Sequence, residues 1–360
     1  MDGKQKKKRK LKSYEVVDAQ QDGGFPVKEK KKRKKEATVN ESASVEQEVK
    51  KQQSVPTLSI AVAASVIDNV QSAELATLVA GQIARTAAIF NVDEVVVIDE
   101  APGPAGRVGK GAAFLARVLQ FMETPQYLRK ALCPMHRDLR LAGQLPPLDA
   151  PHHMRAAEWR PFREGIVVRS AHGAGSLLDI GLDKVAFVAE ALKPGVRVTL
   201  EMGEQPRPHR IEGGPLGRGV DALAGSIVLP SDPRAKSGTY WGYTVRIASG
   251  LSAVFSGCPY QDGYDLKIGT SERGSVQSAA ELQLPPRQHC IITFGGPLGL
   301  EECLKRDPGK TVSDVVELFD MWVNTCPDQG SRTIRTEEAL LISLAYFQPA
   351  LQSALKQVKQ

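Results

Sequence analysis

The sequence holds no apolar run long enough to cross a membrane, and no apolar segment follows its basic start as a signal peptide would need. A soluble intracellular protein is therefore expected. Cysteine is scarce: Cys133, Cys258, Cys290, Cys303 and Cys326 stand far apart, odd in number and without a Cys-x-x-Cys pair, so they are read as reduced rather than as a disulfide framework. Histidine offers no metal centre. His152 and His153 are adjacent, and adjacent side chains point apart on a helix or a strand, which makes them a poor ligand pair; no other Cys/His cluster supports a zinc site, and no metal is expected. A phosphate loop is missing too. In the Gly-rich stretch 101–111, Pro104 stands where the motif needs its first Gly, and Lys110 is followed by Gly111 instead of Ser or Thr; the stretch reads as a loop before a helix over 112–122.

Charge of one sign is also missing from most of the chain. Residues 1–53 hold 16 Lys/Arg against 9 Asp/Glu, which leaves 31 against 32 in the other 307 residues, so the formal charge of +6 belongs to the tail. Its two dense blocks, over 4–12 and 28–35, have almost nothing to bury. They fit either a solvated disordered extension or a nuclear, and more narrowly nucleolar, address that also binds phosphate non-specifically.

With 360 residues the chain has room for more than one domain. An apolar strand is read over 58–66. Ser72 then caps a helix whose apolar face is Leu75, Leu78, Val79, Ile83 and Phe90, and residues 94–98 form the next strand. Strand, helix, strand in that order gives a parallel sheet covered by helices. From about residue 160 the texture changes to five short β-branched or aromatic runs, at 165–169, 183–188, 195–200, 226–229 and 241–247. These suggest a small closed barrel of the oligonucleotide-binding (OB) type, inserted between two halves of the first domain. Arg246 and Lys236, among its cations, and the rings of Tyr240, Trp241 and Tyr243 fit either an RNA-binding face or ordinary surface charge and core aromatics. The boundaries read from these shifts are a tail over 1–53, a first half over 54–157, the insertion over 158–248 and a second half over 249–360.

The most informative stretch lies near the end. Cys290-Ile-Ile-Thr-Phe-Gly-Gly-Pro-Leu-Gly299 and Trp322-Val-Asn-Thr-Cys-Pro are apolar runs that stop abruptly in Gly, Pro, Asn and Thr, as buried parallel strands do where the following loop meets a ligand. Two such ends imply one pocket. Cys326, in the second loop, reads as a small filler or, with no His near it in sequence, a less favoured nucleophile. After this loop Thr336 can cap a helix, Glu337 and Glu338 suit its positive end, Leu340, Leu341, Leu344 and Phe347 recur at helical spacing, and Pro349 is expected to stop it. The pentapeptide Gly213-Gly-Pro-Leu-Gly217 copies residues 295–299 letter for letter. No apolar strand precedes that copy, so it is read as an unrelated loop.

Three segments carry a family resemblance: Asp262-Gly-Tyr-Asp-Leu-Lys-Ile-Gly-Thr-Ser-Glu-Arg-Gly274, Phe294-Gly-Gly-Pro-Leu-Gly-Leu-Glu301, and the run from Asn324 through Arg332, Arg335 and Glu337 to Leu340. From about residue 57 to 350 the chain resembles the SPOUT-class RNA methyltransferases, in the eukaryotic and archaeal branch with an OB-type insertion. That branch's animal member is also called a centromere protein and is assigned N3-uridine methylation of large-subunit ribosomal RNA. The resemblance implies an α/β fold with a C-terminal trefoil knot, a homodimer, S-adenosyl-L-methionine held in the knot, and spindle or centromere association as a further possibility of location. It places the cofactor against Arg273, Thr293, Gly295, Gly296, Gly299, Asn324 and Thr325, with Ile334 and Leu340 on the adenine.

The residue types suit that chemistry independently. Glycines let backbone N–H and C=O groups approach a ligand with no Cβ in the way. Displacement at a sulfonium methyl mainly needs the nucleophile held about 3 Å from the carbon and in line. A guanidinium would stabilise charge developing on a uridine as its N3 proton leaves; Arg273 is expected in that catalytic role, with Arg332 and Arg335 holding phosphate or base. Arg335 with Glu337 or Glu338 also fits a plain ion pair at a helix start. Asp265 and Glu272 are the nearest carboxylates in sequence for a base. An alternative remains open: an RNA- or chromatin-associated protein, including one attached to the spindle, that keeps the fold only for binding.

Overall fold

The computed structural model describes residues 55–68, 70–103 and 106–358; the basic tail and the address read into it lie outside them. Strand β1 (Thr57–Ala63) ends earlier than the apolar run 58–66, because the amide of Ser65 is taken by the Glu100 carboxylate and helix α1 (Ser65–Asp68) begins there. Helix α2 (Ala73–Ile89) starts where expected, with the Ser72 hydroxyl accepting from the Leu75 amide at 3.2 Å. Its buried face is Ala76, Val79, Ala80, Ile83, Ala84 and Ala87. Leu75 and Leu78, expected on that face, are 46% and 49% exposed. Strand β2 (Glu94–Ile98) and helices α3 (Lys110–Glu123) and α4 (Arg129–Leu132) follow.

A second group of strands comes next: β3 (Phe162–Ala171), β4 (Gly175–Asp179), β5 (Val185–Val188), β6 (Arg197–Glu201), β7 (Pro208–Ile211), β8 (Val220–Ala224) and β9 (Ser226–Val228). After helix α5 (Asp232–Ser237) the chain continues as β10 (Thr244–Ala248), α6 (Ser252–Ser256), β11 (Leu266–Val276) and β12 (His289–Phe294). It finishes with α7 (Gly299–Lys305), β13 (Met321–Asn324) and α8 (Thr336–Val358).

Two sheets result. The first is wholly parallel, in the order β10-β2-β1-β12-β11-β13. Alternate residues of its central strands serve opposite faces. Ile60, Val62, Val95, Val97, Ile292 and Phe294 pack with α2, α3 and α8, while Ala61, Ala63, Val96, Ile98 and Ile291 pack with α6 and α7. Helix α8 runs through Pro349 instead of stopping there. Losing one helical N–H bond costs about 3 kcal/mol, but Ala350, Leu351 and Ala354 beyond it are buried in the same core, and each buried Leu returns about 1.5–3 kcal/mol.

The second sheet has the order β7-β8-β5-β4-β3-β6-β9 and is antiparallel except between β5 and β8. Four of the five expected runs fall in it, and β4, β7 and β8 were not anticipated. The fifth run does not belong: β10 pairs in parallel with β2, Val245 opposite Val95. The expected barrel face therefore loses Arg246, Tyr240 and Tyr243. Arg246 lies over the first sheet, 2.9 Å from Glu94 and 3.0 Å from the Val254 carbonyl. Tyr240 and Tyr243 turn inward and donate to the carbonyls of Val92 and Leu119. Lys236, on α5, pairs with Glu201 at 2.6 Å.

A buried polar cluster joins α3 to β3 and β6. Arg197 reaches Glu123 at 2.7 Å and Glu164 at 2.6 Å; Glu164 also accepts from Thr199 and from the Trp241 indole, each at 2.6 Å. His152 stands 3.0 Å from the Glu123 carboxylate, and His153 reaches the Glu123 carbonyl at 2.6 Å. Burial raises the pKa of Glu123, but the His152 hydrogen bond and the Arg197 guanidinium outweigh it and hold the carboxyl at about 2. Burial, with His152 beside it, pushes His153 down to about 4.

Both shifts work against the fold in acid. The unfolded chain protonates a histidine below its ordinary 6.5 and a glutamate below its ordinary 4.5, while the folded groups resist until about 4 and about 2. The thermal unfolding midpoint should hold steady above about pH 7, then fall from pH 6.5 towards 4 as His153 titrates in the unfolded state alone. An equal midpoint at both ends of that window would show that His153 is not held neutral.

Candidate active site

The carboxyl ends of β11, β12 and β13 open into one cavity of about 840 Å³. Its size is within the range of small-molecule and cofactor sites, and its place outside parallel strand ends is where open α/β sheets bind ligands. Three segments build its walls. The turn 295–299 follows β12, with the Gly299 amide donating to the Gly296 carbonyl at 2.9 Å. Gly299 sits at φ +82°, a left-handed conformation that favours glycine. A Cβ on Gly295 would meet the Gly299 carbonyl carbon at 2.5 Å and the Leu300 amide nitrogen at 2.6 Å, so this turn closes only on a bare backbone.

The loop after β13 forms the second wall. Asn324 donates to the Glu272 carbonyl at 2.9 Å and accepts from the Cys326 amide at 3.0 Å, and the Thr325 and Ser343 hydroxyls share a hydrogen bond of 2.7 Å. Thr336 does not cap α8. Its hydroxyl donates to the Gly295 carbonyl at 3.0 Å and so ties the two loops together, while the Glu338 carboxylate takes the Arg335 amide at 2.9 Å.

The third wall is a bulge. Strand β11 pairs with β13 up to Thr270 and again from Ser275, so the residues between are thrown out of register. Bulges of this kind re-aim side chains beside functional sites. Here it presents Ser271, Glu272 and Arg273 to the cavity. The Arg273 side chain is 76% exposed, and its guanidinium stands 3.7 Å from the Glu301 carboxylate.

Of the residues the sequence singled out, Arg273, Gly295, Gly296, Gly299, Asn324, Thr325, Ile334 and Arg335 line this cavity together. Four others do not. Leu340 is fully buried among Leu344 and Phe347, and the residues of α8 that reach the cavity are Thr336, Glu337, Ala339, Ile342 and Ser343, on a different side of the helix. Thr293 lies wholly buried one layer below, its carbonyl taken by the Thr270 hydroxyl. Arg246 and Lys236 are held by Glu94 and Glu201, away from the cavity lining. Arg332 is exposed on the loop outside the lining. Asp265 is at the opposite end of β11, accepting the amides of Gln288 and His289, which leaves Glu272 alone of the two guessed bases at the site. The copied pentapeptide 213–217 forms the β7–β8 connection and takes no part.

Sequence reasoning passed over Glu301 and Ser343, and it read Glu337 only as a helix-start charge. All three line the cavity. Glu301 closes the very motif that was quoted; Ser343 carries no sequence signal, since only the packing of α8 brings it to Thr325.

Such an arrangement defines an α/β protein with a ligand cavity framed by glycine turns at the ends of parallel strands and an arginine at its rim. Over residues 57–347 the sequence matches the family model described as "Putative RNA methyltransferase", and the chain belongs to that family. It is 51% identical over 307 residues to the human 28S rRNA (uridine-N(3))-methyltransferase, covering 82% of this chain and 78% of that one. With the Drosophila melanogaster protein of the same name it shares 43% over 335 residues, 88% of this chain and 67% of the other. An uncharacterized protein of Haloarcula marismortui is 32% identical over 305 residues, 80% of this chain and 97% of its own length.

Proposed function

We propose that this chain is an S-adenosyl-L-methionine-dependent methyltransferase that modifies a uridine of large-subunit ribosomal RNA at N3. The observation that carries the reading is the cavity where the bare turn 295–299, the loop from Asn324 and the bulge bearing Arg273 meet. The turn closes only because Gly295 has no Cβ to meet the Gly299 and Leu300 backbone, and such a bare wall suits a flat nucleoside read by backbone groups. Gly295, Gly296, Gly299, Asn324, Thr325 and Ile334 would hold the donor, which supplies an electrophilic methyl when bound. The polypeptide contributes position and charge. Arg273 stands at the rim, where its guanidinium stabilises the anion formed as the uridine N3 proton leaves. The uridine must be unpaired or flipped, because N3 is engaged in a Watson–Crick pair.

Arg273→Ala should lower single-turnover methylation of uridine-containing RNA by roughly 100- to 1,000-fold, with donor affinity in calorimetry reduced by less than about tenfold. Arg273→Lys should recover little, since a lone ammonium does not reproduce the planar fork. Unchanged turnover in Arg273→Ala would remove it from the chemistry. The reading as a whole is tested by mapping N3-methyluridine in ribosomal RNA from cells lacking the protein: loss at a defined uridine is expected, and an unaltered map would overturn it.

The homodimer, the knot and the OB-type insertion belong to the same proposal. Helices α2 and α8 pack side by side, and Leu75, Leu78 and Leu341 on them are 46%, 49% and 46% exposed. Leu75 also lines the cavity, which supports a second copy completing the cleft. Sedimentation at a single chain's mass would refute that part. The return of the chain from β13, at one sheet edge, to α8 against α2 and the Gly295 turn supports a threaded C-terminus. A nuclear or nucleolar location rests on the tail's charge blocks alone, and exclusion of a full-length fluorescent fusion from the nucleus would set it aside.

A further inference from the structure

The cavity wall carries three buried polar side chains, Thr336, Glu337 and Ser343. Two are satisfied by the protein itself: Thr336 donates to Gly295, and Ser343 pairs with Thr325. Glu337 is not. It is 9% exposed, yet it makes no hydrogen bond or ion pair with any described residue. The other acids nearby are accounted for, because Glu301 faces Arg273, Glu338 takes the Arg335 amide, and Glu272 is exposed.

A carboxylate taken out of water without a partner is costly, and the positive end of a helix offsets only part of that cost. The Glu337 oxygens are not among the fully enclosed polar atoms left without a partner, so the side that remains open to them is the cavity. We infer that Glu337 receives hydrogen-bond donors of the bound nucleoside, either its ribose hydroxyls or the ammonium of its amino-acid tail. This rests on the cofactor reading given above. Both sources offer the same chemistry to the carboxylate: a polarised O–H or N–H that takes the place of lost water and forms a short, charge-assisted bond.

The test is calorimetry on the full chain with two probes. S-adenosylhomocysteine carries ribose and ammonium; 5′-methylthioadenosine keeps the ribose and lacks the tail. Glu337→Gln should bind S-adenosylhomocysteine roughly 10- to 100-fold more weakly than the wild type, the loss expected for a charge-assisted hydrogen bond. A matching loss for 5′-methylthioadenosine assigns the hydroxyls, and an undiminished affinity for it assigns the ammonium. Without ligand, the variant's thermal midpoint should equal or exceed the wild type's, because a desolvated charge has been removed. Glu337→Asp, which keeps the charge one methylene further back, should bind with intermediate affinity.

Equal affinity of wild type and Glu337→Gln for both probes overturns the inference, and so does a lowered unliganded midpoint with affinity intact, which would mark a purely structural role. If the wild type binds neither probe, the cofactor reading itself fails and this inference falls with it. Binding by the wild type with an indifferent variant removes Glu337 alone.

Discussion

On the proposed reading, Gly295→Ala is expected to weaken donor binding at least about 100-fold while leaving the protein folded. The added methyl would stand 2.5 Å from the Gly299 carbonyl carbon and 2.6 Å from the Leu300 amide nitrogen, distances at which backbone, not a flexible side-chain tip, has to move. The turn must open, and with it go the Gly299-to-Gly296 hydrogen bond and the tie from Thr336 to the Gly295 carbonyl. Overpacking of this kind costs about 1–3 kcal/mol in stability. The buried body of β12, from Cys290 to Phe294, is untouched and keeps the sheet together. Donor affinity should fall at least about 100-fold, since the wall itself is displaced and a misplacement of 1 Å has consequences of that size. Gly213→Ala is the matched control. It alters the same pentapeptide in the β7–β8 connection, where nothing lies within 4 Å of the added carbon, and should leave binding and stability alone. Wild-type affinity in Gly295→Ala would show that the donor does not sit against this turn.

Arg197→Met is expected to be strongly destabilising, by about 3–5 kcal/mol. Arg197 holds two carboxylates at once, Glu123 at 2.7 Å and Glu164 at 2.6 Å, whose side chains are 10% and 3% exposed. Methionine fills the space of the stem but leaves both acids with too few donors in a dry environment. Breaking one side of a buried ion pair costs about 3–5 kcal/mol, most of it the penalty on the abandoned charge. Glu164 keeps its bonds from Thr199 and Trp241, which places the larger share of the loss on Glu123. Denaturant unfolding followed by tryptophan fluorescence should report it, since Trp241 lies in the cluster. Adding Glu123→Gln to Arg197→Met should return part of the stability by removing the stranded charge. A shift below about 1 kcal/mol in the single variant would mean that water reaches the cluster and screens it. The cluster joins α3 to β3 and β6, so its loss should also loosen the second sheet against the first.

How far the residues alone led can be traced element by element. The parallel unit of β1, α2 and β2 was legible because its strands are largely apolar and Ser72 marks the start of the helix between them, the signals that a two-face-buried strand and a capped helix leave in sequence. The two strand ends at Gly295 and Asn324 were legible for the same reason. Strand β10 was misplaced since a short β-branched run has the same pattern on the edge of a parallel sheet as in a barrel. Helical spacing placed Leu340 on the buried face of α8, where it lies; its place against the adenine came from the resemblance, and Leu340 is not in the cavity lining. Leu75 and Leu78 failed in the opposite sense, as leucines at core spacing that α2 leaves exposed.

What the amino acids determined by themselves was local and compositional: which segments become strands and helices, where they stop, which loops can run without side chains, and the separation of a basic tail from a neutral body. That the bulge of β11 joins the two loops at one cavity was decided only when β11 came to lie between β12 and β13, and so was the isolation of Glu337 among satisfied neighbours. The physical reason is that propensity, capping and backbone freedom act within a few residues of one another. Burial, clash and the loss of a hydrogen-bond partner depend on atoms brought together from distant parts of the chain.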